Sequence, residues 1–358
     1  MKDLHQHFNS ILNNSPKNVS ESKLKWLEEK VKNFKNSSSA NTNSVHTASY
    51  TNESIVKVAK TLKNGKSSFT DGSINEVIKK SIQSTAPILT KLFNHIEHSA
   101  FYPTVWKSSF LVPLHKKGPQ GDPDNYRGLA VGSNISKLYT KCLNSKLKKF
   151  ADQNNILSPH QFGFRDDFRT HDATFSLRSM ISHYKKDKKA VYACFVDFSK
   201  AFDSVNRIAL AYKLGKVGIR GNMLKLFHDM YTDTNYVIKA DGEFSIPITN
   251  NLGVKQGCNL SPLLFNLFIN DIHSIFNDNC KALNMNDWKV NSLSFADDLV
   301  LLSETENGLR NCIASLEAYC NEWGLKVNPL KTKVLVFNKS FSKILKSYLS
   351  PLMEILYV

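Results

Sequence analysis

The chain has 358 residues and carries 47 lysines and arginines against 31 aspartates and glutamates, a formal net charge of +16. An excess of positive charge this large fits binding to a polyanion, because basic side chains that neutralise backbone phosphates release counterions. Hydrophobic residues make up 41% of the sequence, which allows a sizeable core, and the length indicates two domains or lobes.

The sequence also disfavours several protein classes. No stretch approaches the roughly 18 apolar residues of a membrane span, and the first residues lack the apolar core of a secretory signal. Six cysteines without a Cys-x-x-Cys pair disfavour a zinc site or a disulfide framework and fit a reducing compartment. We therefore expect an intracellular protein, in the nucleus, the cytoplasm or both, that does not bind membranes.

In chain order, the first predicted elements are two short amphipathic helices within residues 1–35. Apolar residues recur at helical spacing from Leu4 to Leu12 and again from Leu24 to Val31. Residues 36–55 are rich in Ser, Asn and Thr with few large apolar groups, which predicts a flexible linker. A longer amphipathic helix is predicted near Ile135–Phe150.

A strand is predicted over the apolar and aromatic run Val191–Val196, and Asp197 stands at its end. Residues of helical character follow Asp197, with two helices predicted between residues 207 and 231. A hairpin that turns at Asp241-Gly242 comes next.

A helix start is predicted at Ser261-Pro262, because serine before the helix and proline in its first turn favour helix initiation. The residues just before it, Gln256-Gly257, form a loop in which glycine lets backbone approach a ligand closely. As a bare pattern, this segment is also typical of an ordinary loop that leads into a core helix.

Two adjacent carboxylates, Asp297 and Asp298, stand between apolar runs that predict two buried strands joined by a tight turn. An ordinary Asx-type turn is the simple alternative. Desolvation and like-charge repulsion make such a pair unfavourable unless a cation offsets it. Together with Asp197, the pair can converge on the edge of one sheet, where carboxylate oxygens suit Mg²⁺. Two ions roughly 3.5–4 Å apart would support the in-line phosphoryl transfer typical of nucleotide polymerases.

After this hairpin, Ser303–Glu306 resembles a capping box that begins a helix. Apolar residues from Leu309 to Trp323 form one face of that helix, which Gly324 ends. Val334–Phe337 is a predicted closing strand. Helices packed on one face of a mostly antiparallel sheet make the predicted class α+β.

The motifs resemble, in order along the chain, the reverse transcriptase of non-LTR (LINE-type) retrotransposons. The matching segments are Lys66–Glu76, Trp106–Gly118, Asp124–Leu129, Leu157–Arg165 with Arg169, Thr170 and Asp172, Val191–Asp203, Val254–Pro262, Phe295–Asp298 and Gly324–Lys333. One short motif would be weak support, but so many in the expected order make chance a poor explanation.

The resemblance implies a right-hand polymerase of fingers and palm. The expected organisation is an N-terminal helical extension (1–35), the linker (36–55), fingers (56–184) and a palm with the catalytic carboxylates (185–340). Residues 341–358 would be the truncated start of a thumb or a tail. The sequence ends at Val358, soon after the last matching segment, so the thumb is expected to be absent or truncated.

The resemblance also implies roles for single residues. Asp197 and Asp297 would be direct metal ligands, with Asp298 less directly involved, and all three are the expected catalytic residues. The residues expected to bind the incoming deoxynucleotide are Phe198, Phe202, Gln256, Gly257, Arg127, Lys116 and Lys331. Those expected to contact nucleic acid are Arg165, Arg169 and Lys117.

Two of these residues have more specific implied roles, and one neighbour has none. A ring at Phe202 would leave no room for a 2′-hydroxyl, although a buried phenylalanine is often simply part of the core. Lys331 resembles a lysine that helps to protonate the pyrophosphate leaving group. Asp203 is expected to brace the turn beside Phe202 without a catalytic role.

The predicted function is RNA-directed DNA polymerase activity with two Mg²⁺ ions, or Mn²⁺ in their place, adding a deoxynucleotide to a primer 3′-hydroxyl. The expected partners are an RNA template, a DNA primer and the deoxynucleotide, whereas the oligomeric state is left open. One alternative is a catalytically silent remnant that at most binds nucleic acid. Another is a group II intron maturase-like protein, which the sequence after the palm disfavours.

Overall fold

The computed structural model describes residues 1–13, 19–37, 49–285, 287–338 and 354–357. Its helices are α1 (Lys2–Asn13), α2 (Glu21–Asn36), α3 (Asn52–Lys60), α4 (Asn75–Ser99), α5 (Asn134–Gln153), α6 (Thr170–Lys186), α7 (Arg207–Lys216), α8 (Gly221–Met230), α9 (Ser261–Ile269) and α10 (Glu306–Trp323). Its strands are β1 (Ser108–His115), β2 (Tyr126–Val131), β3 (Val191–Val196), β4 (Thr234–Ala240), β5 (Glu243–Phe244), β6 (Ile248–Asn250), β7 (Leu283–Met285), β8 (Trp288–Val290), β9 (Ser292–Phe295), β10 (Asp298–Ser303), β11 (Lys333–Phe337) and β12 (Glu354–Tyr357).

The chain forms two compact units built from interleaved segments. Unit one consists of described residues in 1–15, 20–156 and 202–264, and unit two chiefly of those in 157–201 and 265–358. The predicted fingers and palm are continuous along the chain, so they do not coincide with these units and stay a prediction. Residues 38–48 of the predicted linker and most of the predicted segment 341–358 lie outside the described residues.

Unit one contains a sheet with strand order β2-β1-β4-β5, and β6 also pairs with β4. The β1 and β2 strands run antiparallel, whereas β1 and β4 run parallel. Phe8 and Leu12 of α1 are buried in a cluster with Leu111 and Ile238 of this sheet. The N-terminal amphipathic helix therefore forms as predicted, because its apolar face has a sheet to cover.

Unit two is organised around β3, the central strand of the order β12-β11-β3-β10-β9. Both neighbours of β3 run antiparallel to it, and β11 with β12 is the parallel pair among the described strands of this sheet. Val191 and Ala193 pack in a core cluster with Met180 and Tyr184 of α6. Alternate side chains of a strand point to opposite faces, so this cluster covers one face of β3.

The opposite face of β3 is covered by α10. Cys194 of β3 is fully buried, and α10 packs against β3 and β10. Burial raises the pKa of the Cys312 thiol on α10, Cys280 raises it further, and Cys194 contributes least. Helices therefore cover both faces of this sheet, which corrects the prediction of one covered face. The class itself, α+β with mostly antiparallel pairing, is confirmed.

Most helix and strand predictions are confirmed, including α5, β3, α7, α8, the β4–β5 hairpin, α9 and β11. The predicted capping box at Ser303 is wrong. Ser303 ends β10 and its hydroxyl donates to the Cys280 carbonyl at 2.8 Å, whereas Thr305 caps α10 by accepting from the Gly308 amide at 3.0 Å. No helix in the described part of the chain combines the length and apolar character needed to cross a membrane.

Candidate active site

The first candidate carboxylate, Asp197, directly follows β3 in unit two. Its backbone is held on both sides: the Asp197 amide donates to the Thr332 hydroxyl at 3.2 Å, and its carbonyl accepts from the Asn328 amide at 2.8 Å. Thr332 is fully buried. The 328–332 segment therefore fixes the strand end from which Asp197 projects.

The other two carboxylates lie on the hairpin that joins β9 to β10. Ala296 and Asp297 form the turn, and Asp298 is the first residue of β10, paired with Phe295. Because Leu299 pairs with Val196 of β3, extending the antiparallel register by one residue sets Asp298 opposite Asp197. The fold therefore brings the three predicted carboxylates to the same end of one sheet.

The charges of these three side chains act on one another. Partial burial raises the pKa of the Asp298 carboxyl, and the negative charges of Asp297 and Asp197 raise it further. This is the direction expected when like charges share a site. In the part of the chain that the structure describes, no group of three or more His, Cys, Asp or Glu side chains is arranged to hold a metal ion. The carboxylates are neighbours without forming a closed ligand cage.

Lys331 supplies a cation beside this cluster. Its Nζ lies 3.6 Å from Oδ2 of Asp197, and the two side chains are 61% and 36% exposed. An ion pair with this much exposure contributes little to stability. The contact with Asp197 therefore matters for the position of the Lys331 ammonium group and not for the stability of the fold.

A second group of predicted residues lies in unit one, around the segment that precedes α9. The Gln256 side chain accepts from Nε of Arg127 at 2.9 Å through Oε1. Its Nε2 donates to both carboxylate oxygens of Asp203 at 2.6 Å. Since Arg can only donate and a carboxylate can only accept, this arrangement fixes the orientation of the Gln256 amide.

Gly257 and Phe202 also belong to this group. Gly257 has φ +101°, and a Cβ there would lie 3.0 Å from Cδ1 of Leu129 and 3.1 Å from the Ala130 carbonyl. The close approach that requires glycine is therefore to β2. Phe202 is half-buried, and its carbonyl accepts from the Val254 amide at 2.9 Å.

These geometries can be set beside known proteins. A family model described as reverse transcriptase (RNA-dependent DNA polymerase) matches residues 114–346, which include all three carboxylates and both groups of candidate side chains. The chain belongs to the reverse transcriptase family. The predicted resemblance to non-LTR retrotransposon enzymes is confirmed by the relatives described next.

The chain is 31% identical over 288 residues to the probable RNA-directed DNA polymerase from transposon BS of Drosophila melanogaster, covering 78% of the chain and 31% of that protein. It is 30% identical over 251 residues to the Pol polyprotein of the type-1 element R2 of Nasonia vitripennis, covering 69% and 24%. The chain thus spans about a third or less of these relatives. A solved structure of apo telomerase from Candida Tropicalis, truncated from its C-terminal domain, aligns with TM-score 0.49 at 13% identity, covering 72% of this chain and 56% of that one.

Several other residues with predicted roles occupy well-defined positions. Phe198 is 6% exposed, so its ring belongs to the core of unit two, and its backbone bridges to Val327. Arg165 donates from Nη1 to the carbonyls of Ser158 (2.9 Å) and Gln161 (3.2 Å), and it lies 4.3 Å from the Phe168 ring. The Arg165 guanidinium is therefore engaged within the protein, and its predicted contact with nucleic acid stays a prediction.

Most of the basic residues predicted to bind the nucleotide or the nucleic acid are exposed. Lys116, Lys117, Arg127 and Arg169 all have exposed side chains. Unit one contains Phe202, Gln256, Gly257, Arg127, Lys116 and Lys117, and unit two contains Asp197, Asp297, Asp298, Phe198, Lys331, Arg165 and Arg169.

Sequence reasoning missed one residue beside the carboxylates. Gln161 is 1% exposed, and its side chain hydrogen-bonds both the amide and the carbonyl of Ala296, the residue before Asp297. The only sequence signal is its place in the Leu157–Arg165 motif, which by itself indicates no role for Gln161. A fully buried glutamine requires partners for both ends of its amide, and only the structure identifies them.

Proposed function

We propose that this chain is the RNA-directed DNA polymerase region of a non-LTR retrotransposon protein, which adds deoxynucleotides to a primer 3′-hydroxyl on an RNA template. The observation that carries the proposal is the meeting of Asp197 with the Asp297-Asp298 hairpin at one end of a sheet. The raised pKa of Asp298 is consistent with it, since burial raises that pKa most and the charges of Asp297 and then Asp197 raise it further.

Two Mg²⁺ ions, or Mn²⁺ in their place, are the cofactors we propose. The donor set fits these ions, because half-exposed carboxylate oxygens are the ligands that hard divalent cations take, with water and substrate phosphates completing the shell. Asp197 and Asp297 would hold them, with Asp298 in a lesser role. When bound, such ions activate the attacking hydroxyl and stabilise the leaving oxygen.

The side chains of the chain itself would bind and orient the nucleotide. Arg127 offers an exposed guanidinium whose Nε is already anchored on Gln256, and such a group binds phosphate oxygens through its outer N–H groups. Phe202 would exclude a 2′-hydroxyl. Lys331, beside Asp197, would donate a proton toward the leaving pyrophosphate. The formal charge of +16 supports binding of the template and primer backbones.

Primer extension on an RNA template tests this function. Wild-type protein with a DNA primer, Mg²⁺ and deoxynucleotides should give products that Asp297→Ala abolishes. The matched control is Asp278→Ala, which removes a carboxylate with 99% exposure in the same unit and should leave the products unchanged. Absence of incorporation by wild-type protein that still binds the duplex would instead support a catalytically silent remnant.

A further inference from the structure

The turn that carries Asp297 is held from outside its own hairpin by one buried glutamine. Oε1 of Gln161 accepts from the amides of Gly163 (2.8 Å) and Ala296 (2.9 Å), and Nε2 donates to the Ala296 carbonyl at 3.3 Å. Backbone amides only donate and a carbonyl only accepts, so the side-chain amide has a single orientation. Its partner lies 135 residues away along the chain.

The backbone around Gln161 reinforces this contact. The Phe162 amide donates to the Ser294 carbonyl at 2.8 Å, and the Ser294 amide donates to the His160 carbonyl at 2.8 Å. Residues 160–162 therefore run beside β9 as a short parallel addition to it, with Gln161 opposite Ser294. The Gln161 side chain then hydrogen-bonds the backbone of Ala296, in the turn that follows β9.

Gly163 allows the two segments to approach this closely. A Cβ at Gly163 would lie 2.2 Å from the Ala296 nitrogen and 2.9 Å from its Cα, and both are backbone atoms. The fully buried Asn266 fixes Gly163 from the other side, because its Nδ2 donates to the Gly163 carbonyl at 2.7 Å. Any larger residue at Gly163 would have to displace the turn.

Ala296 itself has φ +58°, a left-handed conformation that is unfavourable for a residue with a Cβ. Such a conformation persists when surrounding contacts determine it. Gln161 satisfies both polar groups of Ala296, so it supplies those contacts. The direction in which Asp297 leaves the turn depends on them.

We propose that Gln161 is a positioning residue for the nucleotidyl transfer, acting through Ala296 to place the carboxylates of Asp297 and Asp298 toward Asp197, and that Gly163 makes this contact possible. The inference rests on the proposed function. Removing a group that orients metal-binding side chains weakens metal affinity or activity roughly 10- to 100-fold in other metal sites.

The test compares Gln161→Met with wild type. Methionine keeps the length and approximate volume of the side chain and removes all three hydrogen bonds of the Gln161 amide. The control is Gln83→Ala, which truncates an exposed glutamine on α4. Three quantities are measured: Mn²⁺ affinity by electron paramagnetic resonance, kcat and KM for deoxynucleotide incorporation, and hydrogen exchange of the Ala296 amide relative to the amides of β10.

We expect Gln161→Met to weaken Mn²⁺ binding roughly tenfold and to lower kcat roughly a hundredfold. KM for the deoxynucleotide should stay within about threefold of wild type, because the nucleotide contacts are untouched. Exchange of the Ala296 amide should accelerate while β10 stays protected. A purely structural role would instead accelerate exchange throughout β10 and leave Mn²⁺ affinity unchanged in the folded fraction.

Two further variants keep the proposal open to refutation. If Gln161→Met does not fold, Gln161→Glu retains the acceptor for both amides and should show a smaller change in the same direction. Gly163→Ala should reproduce the loss of kcat by displacing the turn. Unchanged Mn²⁺ affinity, kcat and Ala296 exchange in a folded Gln161 variant would overturn the inference. Wild-type protein that binds Mn²⁺ without incorporating nucleotide would overturn the proposed function alone.

Discussion

The two segments that carry candidate active-site residues are held in contrasting ways. In unit two, the Asp297 turn is fixed by the neutral amide of Gln161, which is 1% exposed. In unit one, the segment 253–257 is fixed through Gln256 by the charged side chains Asp203 and Arg127, and Arg127 is exposed.

This difference has consequences for sensitivity to salt and pH. Hydrogen bonds between buried neutral groups are hardly screened by ions, whereas contacts between solvent-exposed charges weaken as ionic strength rises. We therefore expect the position of the Asp297-Asp298 turn in unit two to depend on shape and packing. The position of segment 253–257, which we propose contacts the nucleotide, should depend on charge and respond to salt.

Close backbone packing also matters in unit one, at Gly253, and a substitution there shows how far the segment 253–257 depends on packing in addition to charge. Gly253 has φ +75°, and a Cβ there would lie 2.8 Å from the Cα of Asp203 and 2.9 Å from its carbonyl oxygen. Gly253→Ala should lower the free energy of unfolding by roughly 3 kcal/mol, since backbone atoms cannot yield locally. Urea denaturation measures the change.

Gly242→Ala is the matched control for this substitution. Gly242 also has positive φ, at +81°, but no described heavy atom lies within 4 Å of the Cβ position. Conformational strain alone should lower stability by only about 1 kcal/mol. Equal losses in the two variants would show that the contact with Asp203 has no structural importance.

A second buried contact between neutral groups in unit two, at His273, can be tested with pH. Both ring nitrogens of His273 hydrogen-bond hydroxyls of β9, those of Ser292 (2.8 Å) and Ser294 (3.0 Å). Burial, and then the nearby His160, lower the pKa of His273 to about 3. The unfolded chain therefore binds more protons between pH 3 and the ordinary histidine pKa of about 6.5, so stability falls as the pH drops through this range.

At pH 5, unit two should have lost about 2 kcal/mol of stability relative to pH 7. His273→Gln should flatten this dependence, because the substituted side chain does not titrate. His171→Gln, at an exposed position on α6, should retain it. Denaturant midpoints measured at several pH values give the comparison. If the stability of His273→Gln fell with pH as steeply as that of wild type, His273 would not be the group responsible.

The smallest effect is expected in unit one, where Asp203 holds the Gln256 side chain. Asp203→Asn keeps an oxygen that can accept from Gln256 but removes the charge that strengthens the bond. We expect KM for the deoxynucleotide to rise about fivefold, with kcat little changed and the difference reduced at high salt.

Asp241→Asn, at an exposed turn of the same unit, provides the control for this change. A competing effect has the opposite sign, since removing a negative charge near a triphosphate would lower KM. A lower KM in Asp203→Asn would therefore show that charge repulsion outweighs the positioning of Gln256.

Local chemistry made much of the fold and part of the site predictable. The run before Asp197 is apolar and mostly buried, and the Asp297-Asp298 pair stands between two segments with buried apolar residues. The strands at both positions were therefore predictable from the local sequence. Gly324 ends α10 with φ +75°, as its lack of a Cβ permits. In each case the residues that determine the local structure are close together in the sequence.

Other features depend on residues far apart in the sequence and were not predictable. Gln161 acts on a turn 135 residues away, and Asp203 contacts Gln256 across 53 residues. The N-cap of α10 is Thr305 rather than Ser303, whose hydroxyl donates to the Cys280 carbonyl, a contact that local sequence does not show. The interleaved units likewise arise from tertiary contacts.

The most direct test of the central claim is a Mn²⁺ titration of wild-type protein, Asp197→Asn and Asp297→Asn, followed by electron paramagnetic resonance. If carboxylates from β3 and the β9–β10 hairpin share the ions, each variant should lose at least roughly tenfold in affinity. Asp278→Asn, at a side chain with 99% exposure, should bind as wild type does. Wild-type affinity retained in both Asp197→Asn and Asp297→Asn would contradict the account.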